Sequence, residues 1–220
     1  INLMNRMIKL TLVLALLSPL AIAAPTPTPA VVTWEMSCMV SGTLKPIRMA
    51  DSDGAETTYW YLRVLVTNKT NNDIDFIPDV DLVTNTGEIH ANDVDVPVSV
   101  SPAIKGLYNQ PLLMDLTDAT GKVLQGDDNA KAILLMFSDF DLAAGQADIY
   151  ITGLSGETET VTLPTPVTRT FTNVDGEEVS ETVSAITLRK TLKLTYQLPG
   201  SAEARLTDEA VLIAREWVMR

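Results

Sequence analysis

Carboxylates at alternate positions are the most frequent groups in this sequence that could do chemistry. Five Asp-x-Asp pairs occur: Asp51/Asp53, Asp73/Asp75, Asp79/Asp81, Asp93/Asp95 and Asp139/Asp141. Alternate residues of a strand point to the same face, and oxygen-rich loops suit Ca²⁺. The candidate Ca²⁺ ligands are Asp127, Asp128, Asn129, Asp73 and Asp75. The alternative is that these acidic residues flank turns and face solvent.

A second candidate is a stripe of aromatic and cationic side chains. In the segment Thr58–Val66, a period of two places Tyr59, Tyr61 and Arg63 on one face. Such a stripe could stack on sugar rings, which predicts a ligand-binding role. The alternative is that neighbouring strands or a helical insert cover the stripe, because aromatic pairs also stabilise sheets.

His90 is the only histidine, and Asp93 and Asp95 lie close to it in sequence. An imidazole could act as a general base, but no nucleophile motif accompanies it. The segment around Ser155 is not a Gly-x-Ser-x-Gly elbow. A hydrolase using paired carboxylates therefore remains an alternative, and no catalytic residue is assigned.

The composition excludes several kinds of site. One His and one Cys allow neither a Cys/His zinc site, nor a two-His metal site, nor a disulfide within this sequence. The net charge of −12 argues against nucleic-acid binding, since no basic surface is available to displace phosphate counterions. We expect the single thiol, Cys38, to be buried because its neighbours are apolar.

Residues 1–23 are predicted to be a secretory signal peptide. Arg6 and Lys9 form a basic region, Leu10–Leu17 form an apolar region, and Ala21–Ala23 supply the small-x-small cleavage pattern. The alternative is a transmembrane anchor, but the apolar run is shorter than the roughly 20 residues that a span needs. We therefore expect an exported protein, periplasmic or extracellular, with no anchor after cleavage.

Behind the leader, we expect a linker rich in Pro and Thr at residues 24–30 and a single domain at 31–220. Short strand patterns separated by polar turns predict an all-β, mainly antiparallel fold, an immunoglobulin-like β-sandwich with one short helical insert. The second strand is expected around Ile74–Val83, with a bulge or an edge position at Pro78. The helix is expected to begin with Ser101 as its N-cap.

A hairpin insertion is predicted at about 160–187, because an Asp-Gly turn signal joins two arms rich in Thr and Val. The segment Leu188–Leu198 then alternates cleanly between apolar and polar residues, and only Lys190 interrupts its inward face. The tail from Leu206 fits a helix or a strand, and we favour the strand.

Several different short motifs follow one another along the chain. They are Trp34-Glu35, Tyr59-Trp60-Tyr61-Leu62, Phe76-x-Pro78-Asp79, Leu124-Gln125-Gly126-Asp127-Asp128-Asn129, Gly153-Leu154-Ser155-Gly156, Leu188-Arg189-Lys190 and Trp217-Val218-Met219-Arg220. With this series the chain resembles a group of exported proteins of unknown function from planctomycete-type bacteria. The resemblance implies a secreted protein with a β-sandwich-like fold, and it supplies no activity or catalytic residue.

The sequence therefore predicts an exported, non-enzymatic interaction or structural module of the cell envelope or extracellular space, with an unidentified protein or envelope partner. Contact is expected along strand edges or loops, with the Thr165–Val183 hairpin as an edge for strand addition. The two alternatives are a Ca²⁺-stabilised ligand- or carbohydrate-binding module and the hydrolase considered above.

Overall fold

A computed structural model describes residues 25–28, 33–50, 54–126, 129–172 and 176–220. The predicted signal peptide and part of the predicted linker lie outside these residues. In chain order the strands are β1 (Ser37–Val40), β2 (Lys45–Ala50), β3 (Glu56–Thr67), β4 (Ile74–Phe76), β5 (Val80–Thr84), β6 (Ile89–Ala91), β7 (Leu113–Asp115), β8 (Lys122–Leu124), β9 (Ala130–Ser138), β10 (Gln146–Ile151), β11 (Thr158–Thr172), β12 (Glu178–Gln197) and β13 (Val211–Met219). The helices are α1 (Val100–Tyr108), α2 (Leu116–Ala119) and α3 (Ala202–Arg205).

The strands form two main sheets. In the first, β3 pairs with β1 and β2 along one edge and with β9 along the other, and β7 adds to β9 in parallel. In the second, the order is β11-β12-β10-β5-β6, and β13 pairs with β12. Every pairing except that of β7 with β9 is antiparallel, so the predicted all-β, mainly antiparallel class is confirmed.

The core lies between the two sheets, as in a sandwich. Alternate residues of β3, including Trp60 and Leu62, pack in one cluster with Leu192, Leu194 and Tyr196 of β12. These five side chains are at most 1% exposed, because the period of two points each toward the opposite sheet. The apolar run of β9 is buried on both faces, as its sequence predicts.

Two boundaries differ from the sequence prediction. The expected strand around Ile74–Val83 is two strands, since β4 pairs with β8 and β5 belongs to the second sheet. Pro78, which lacks an N–H donor, lies in the break. Helix α1 begins at Val100, so Ser101 is not its N-cap; the Ser101 hydroxyl instead donates to Asp115 Oδ1 at 2.6 Å.

The C-terminal segment is a strand, as we expected, and β13 runs antiparallel to β12. Within the ranges that the structure describes, no helix is long and apolar enough to cross a membrane.

Candidate functional site

The aromatic stripe on β3 is covered. Tyr59 is 8% exposed and Tyr61 is 4% exposed, because α1 lies over them and contributes Val100 and Ile104 to the same apolar cluster. This burial leaves little aromatic surface for stacking on a sugar, and it matches the alternative in which a helical insert covers Tyr59 and Tyr61. The stripe holds the helical insert to the first sheet.

Arg63 and Tyr61 both contact α1 or the residues after it. The Arg63 guanidinium carbon is 3.5 Å from the centre of the Tyr108 ring, and its Nη1 donates to Gln110 Oε1 at 3.0 Å. The hydroxyls of Tyr61 and Tyr108 are 2.7 Å apart, and burial together with this bond raises the pKa of Tyr61. A cation stacked on an aromatic face strengthens this attachment.

Asp73, one of the predicted Ca²⁺ ligands, contacts the loop that contains Gly126. Asp73 Oδ1 accepts a hydrogen bond from the Gly126 N–H at 3.1 Å, and both residues line a pocket of about 370 Å³. Asp75 is exposed on β4, Asn129 is partly buried, and Asp127 and Asp128 lie outside the described residues. Among the residues with described positions, no three His, Cys, Asp or Glu side chains gather as a metal site.

Asn68 organises these loops. Its side chain is fully buried; the amide donates to the carbonyls of Asn72 at 2.8 Å and Leu124 at 2.7 Å. Its Oδ1 accepts from the N–H and the hydroxyl of Thr70. A buried amide with all of these bonds formed fixes the loops through the protein itself.

His90 contacts a hydroxyl and a carboxylate. Its Nδ1 is 2.9 Å from Ser138 Oγ, and its Nε2 is 3.4 Å from Glu88 Oε2. This cluster joins a base to a hydroxyl. It lines neither the pocket beside Asp73 nor a second pocket, which lies beside Arg189. These contacts orient the imidazole and identify no substrate, so His90 is given no catalytic role.

Lys190, which interrupts the inward face of β12, is the centre of a buried ionic cluster. It is 2% exposed, and its Nζ lies 2.8 Å from Glu35 Oε2 and 3.4 Å from Glu157 Oε2. The ring centre of Trp217 is 5.3 Å away. A buried charge is tolerated only when it is paired, and here two carboxylates and an aromatic face supply the compensation.

The same cluster holds the segment Pro25–Thr28. The Thr28 N–H donates to Glu157 Oε1 at 2.7 Å, and Lys190 Nζ donates to the Thr28 carbonyl at 2.7 Å. Burial acts to raise the pKa of Glu157, but the bonds from Thr28 and the Lys190 ammonium outweigh it, so this pKa is below its ordinary value. Burial acts to lower the pKa of Lys190, but Glu35 and Glu157 outweigh it and raise this pKa.

β11 and residues 178–189 of β12 form a long hairpin, which we call the ribbon. Residues of the two arms are paired from Thr158 opposite Arg189 to Thr172 opposite Glu178, and the register shifts between Thr162 and Val167. Most ribbon residues are exposed on both faces. In the described part of the chain, β11 has no other strand partner, and β13 pairs with β12 only from Lys190 onward.

The ribbon therefore presents unpaired backbone along both of its edges. In a sheet edge these N–H and C=O groups are free to pair with another strand. The sequence indicated this hairpin through its turn signal and its polar arms. For the ionic cluster it marked only Lys190, which interrupts an inward face, and neither of its carboxylate partners. No family model, no curated protein and no solved structure matches the chain.

Proposed function

We propose that the protein is an exported, non-enzymatic interaction module that binds an extended segment of a partner by strand addition to the ribbon. One observation carries the proposal: a hairpin with arms of 15 and 12 residues has no strand partner outside itself in the described ranges. Main-chain hydrogen bonds along such an edge supply affinity, and alternate side chains supply specificity.

The edge of β12 is the better template. In β11, Pro164 and Pro166 lie within the register shift and offer no N–H, which interrupts that edge. Natural sheets use proline in this way to block unwanted pairing. The β12 arm from Glu178 to Leu188 contains no proline, so a partner strand can form a continuous ladder along it.

The ribbon's two faces differ, which defines the chemistry of the partner. The pairs on one face of the outer half are Val167/Val183, Arg169/Glu181 and Phe171/Val179; those on the other face are Thr168/Thr182, Thr170/Ser180 and Thr172/Glu178. Phe171 is 45% exposed and Val167 is 56% exposed. A partner strand that alternates apolar residues with Ser or Thr would extend both faces, because cross-strand neighbours pack by type.

The compartment and the finer fold description belong to the same proposal. The predicted leader supports export, and cleavage after Ala23 would give a mature protein that begins at Ala24. Mass spectrometry of the protein recovered from the periplasm or the medium tests this. The immunoglobulin-like strand arrangement and the likeness to exported planctomycete proteins also remain proposals, since the two-sheet architecture supports only the coarser description.

The binding proposal is tested with a display library of random peptides, selected on the full mature chain. A shortened variant, in which residues 167–183 are replaced by a two-residue turn, removes the outer half of the ribbon. We expect selected peptides to bind the intact chain and to lose at least about tenfold in affinity on the shortened variant. Thr182→Val keeps the backbone edge and is the matched control that should still bind.

Melting of the shortened variant must stay within about 2 °C of the intact chain, which shows that the body remains folded. Equal binding to the intact and shortened chains would contradict the proposal, as would a selection that yields no binder. Loss of binding with Thr182→Val alone would show that a side chain, rather than the edge, carries recognition.

A further inference from the structure

A pocket of about 400 Å³ opens on the second sheet near the base of the ribbon. It is lined by Asp79, Asp81, Thr152, Thr187, Arg189 and Arg220. Its volume falls at the lower end of the range for small-molecule sites. Of these residues only Thr187 belongs to the β12 edge proposed for strand addition, and the charged side chains of the pocket lie outside it, so the two proposals are tested separately.

The pocket forms because β10 ends at Ile151 while β12 continues past it. The chain leaves the sheet at Thr152, whose N–H and hydroxyl donate to the Asp79 carbonyl at 2.9 and 3.0 Å. Gly153 follows with φ +77°, and a Cβ there would clash with the Ile77 carbonyl. Only glycine permits this close approach, which fixes one wall of the pocket.

Two arginines lie side by side in the pocket. Arg189 and Arg220 exchange both backbone hydrogen bonds, Arg189 N–H to the Arg220 carbonyl at 2.7 Å and the reverse at 3.1 Å. Residues paired in this way point their side chains to the same face of the sheet. Like charges directly opposite each other are destabilising, so the pair calls for a compensating negative charge.

Only one of the two arginines has that compensation. Arg220 forms an ion pair with Asp81 at 3.0 Å, and its guanidinium carbon lies 4.3 Å from the centre of the Tyr150 ring. Across the described ranges, Arg189 has no carboxylate within 4 Å, and the Asp79 side chain has no cationic partner. One cation and one anion thus line the same pocket without neutralising each other.

We propose that this pocket binds a small zwitterion carrying a carboxylate and an ammonium, of the class of free α-amino acids and short peptides with both termini free. The carboxylate would pair with Arg189, which offers a planar set of donors, and the ammonium would pair with Asp79. The Thr152 and Thr187 hydroxyls lie beside them. Two arginines and two aspartates make the lining neutral, which favours a net-neutral ligand over a phosphate dianion.

The test is calorimetric titration of the full mature chain with free L-amino acids, their N-acetyl derivatives and their amides, at millimolar concentrations. We expect free amino acids to bind and both derivatives to bind at least about tenfold more weakly, because each lacks one charge. Short peptides with both termini free separate the two sources: tighter binding of a short peptide than of any free amino acid identifies a peptide as the ligand.

Arg189→Gln and Asp79→Asn should each weaken binding at least about tenfold. Arg169→Gln, which removes an exposed arginine outside the pocket, is the matched control and should bind as the parent does. The proposal is overturned if no free amino acid binds, if the N-acetyl and amide forms bind as tightly, if inorganic phosphate binds in preference, or if both pocket variants leave the affinity unchanged.

Discussion

In the body of the sandwich Phe137 is fully buried on β9, whereas in the ribbon Phe171 is 45% exposed on β11. Both are phenylalanines on long antiparallel strands, yet only the first has an opposing sheet to pack against. The body is held together by burial, and the ribbon by its own pairing and by cross-strand contacts such as Arg169 with Glu181. The comparison indicates that backbone pairing and cross-strand contacts define the hairpin, while burial between the sheets is expected to supply most of the stability.

The largest expected difference in the free energy of unfolding is between the variants Phe137→Ala and Phe171→Ala. Removing the buried ring leaves a cavity between the sheets and should lower the free energy of unfolding by about 3–5 kcal/mol. Removing the exposed ring should change it by less than about 0.5 kcal/mol. Urea denaturation of the two variants and the parent measures both values. Similar losses from the two substitutions would break the distinction between body and ribbon.

Lys190→Met examines the ionic cluster that lies where the ribbon joins the body. It leaves Glu157 and Glu35 without their buried cation and should destabilise the protein by about 3 kcal/mol. Lys193→Met is the matched control on the same strand: its ion pairs with Asp148 and Glu216 are more exposed, so the expected loss is at most about 1 kcal/mol. An equal loss in both variants would contradict a special role for Lys190.

The pKa directions predict where this cluster loses its stabilising effect. Because the pKa of Glu157 lies below its ordinary value of 4.5, its contribution is present above that value and is lost as pH falls through the folded-state pKa. Because the pKa of Lys190 lies above its ordinary value of 10.5, its contribution is present below that value and is lost as pH rises through the folded-state pKa.

In Glu157→Gln, the free energy of unfolding should therefore depend less on pH at acidic pH than it does in the parent. Glu181→Gln removes an exposed carboxylate from the ribbon and serves as the control. It should leave the pH dependence of the free energy of unfolding as it is in the parent. Urea midpoints measured from about pH 3 to pH 7 compare the three proteins. If Glu157→Gln has the same pH dependence of stability as the parent, the ionic cluster does not contribute to that dependence.

The smallest expected effect concerns Ca²⁺. The loops around Asp73 are already fixed by the buried Asn68, so millimolar Ca²⁺ should shift the melting temperature by less than about 1 °C relative to chelator. A rise of several degrees would instead support the predicted cation site, and Asp73→Asn should then abolish the rise.

Patterns within one segment predicted much of the fold. Alternation predicted the inward residues of β12, and the continuous apolar run of β9 predicted its burial on both faces. Cys38 is buried as its apolar neighbours indicated, and that burial raises the pKa of its thiol to about 12. In each case, the information lies in the strand's own residues.

Contacts between distant segments were not predictable in the same way. Lys190 stood out because it interrupts the inward face of its strand, but nothing in the sequence marks Glu35 and Glu157 as its partners. The opposition of Arg189 and Arg220 likewise depends on the register of β13 against β12. Covering of Tyr59 and Tyr61 required the placement of α1, which pattern alone left open.

Amide hydrogen exchange tests most directly whether the outer edge of β12 accepts a partner strand. Exchange is measured on the full mature chain with and without a peptide from the display selection. We predict that outward-facing amides between Glu178 and Leu188 exchange rapidly in the free chain and become protected at alternate residues when the peptide binds. Binding that protects only amides of the body, and leaves the β12 edge exchanging as before, would contradict the account.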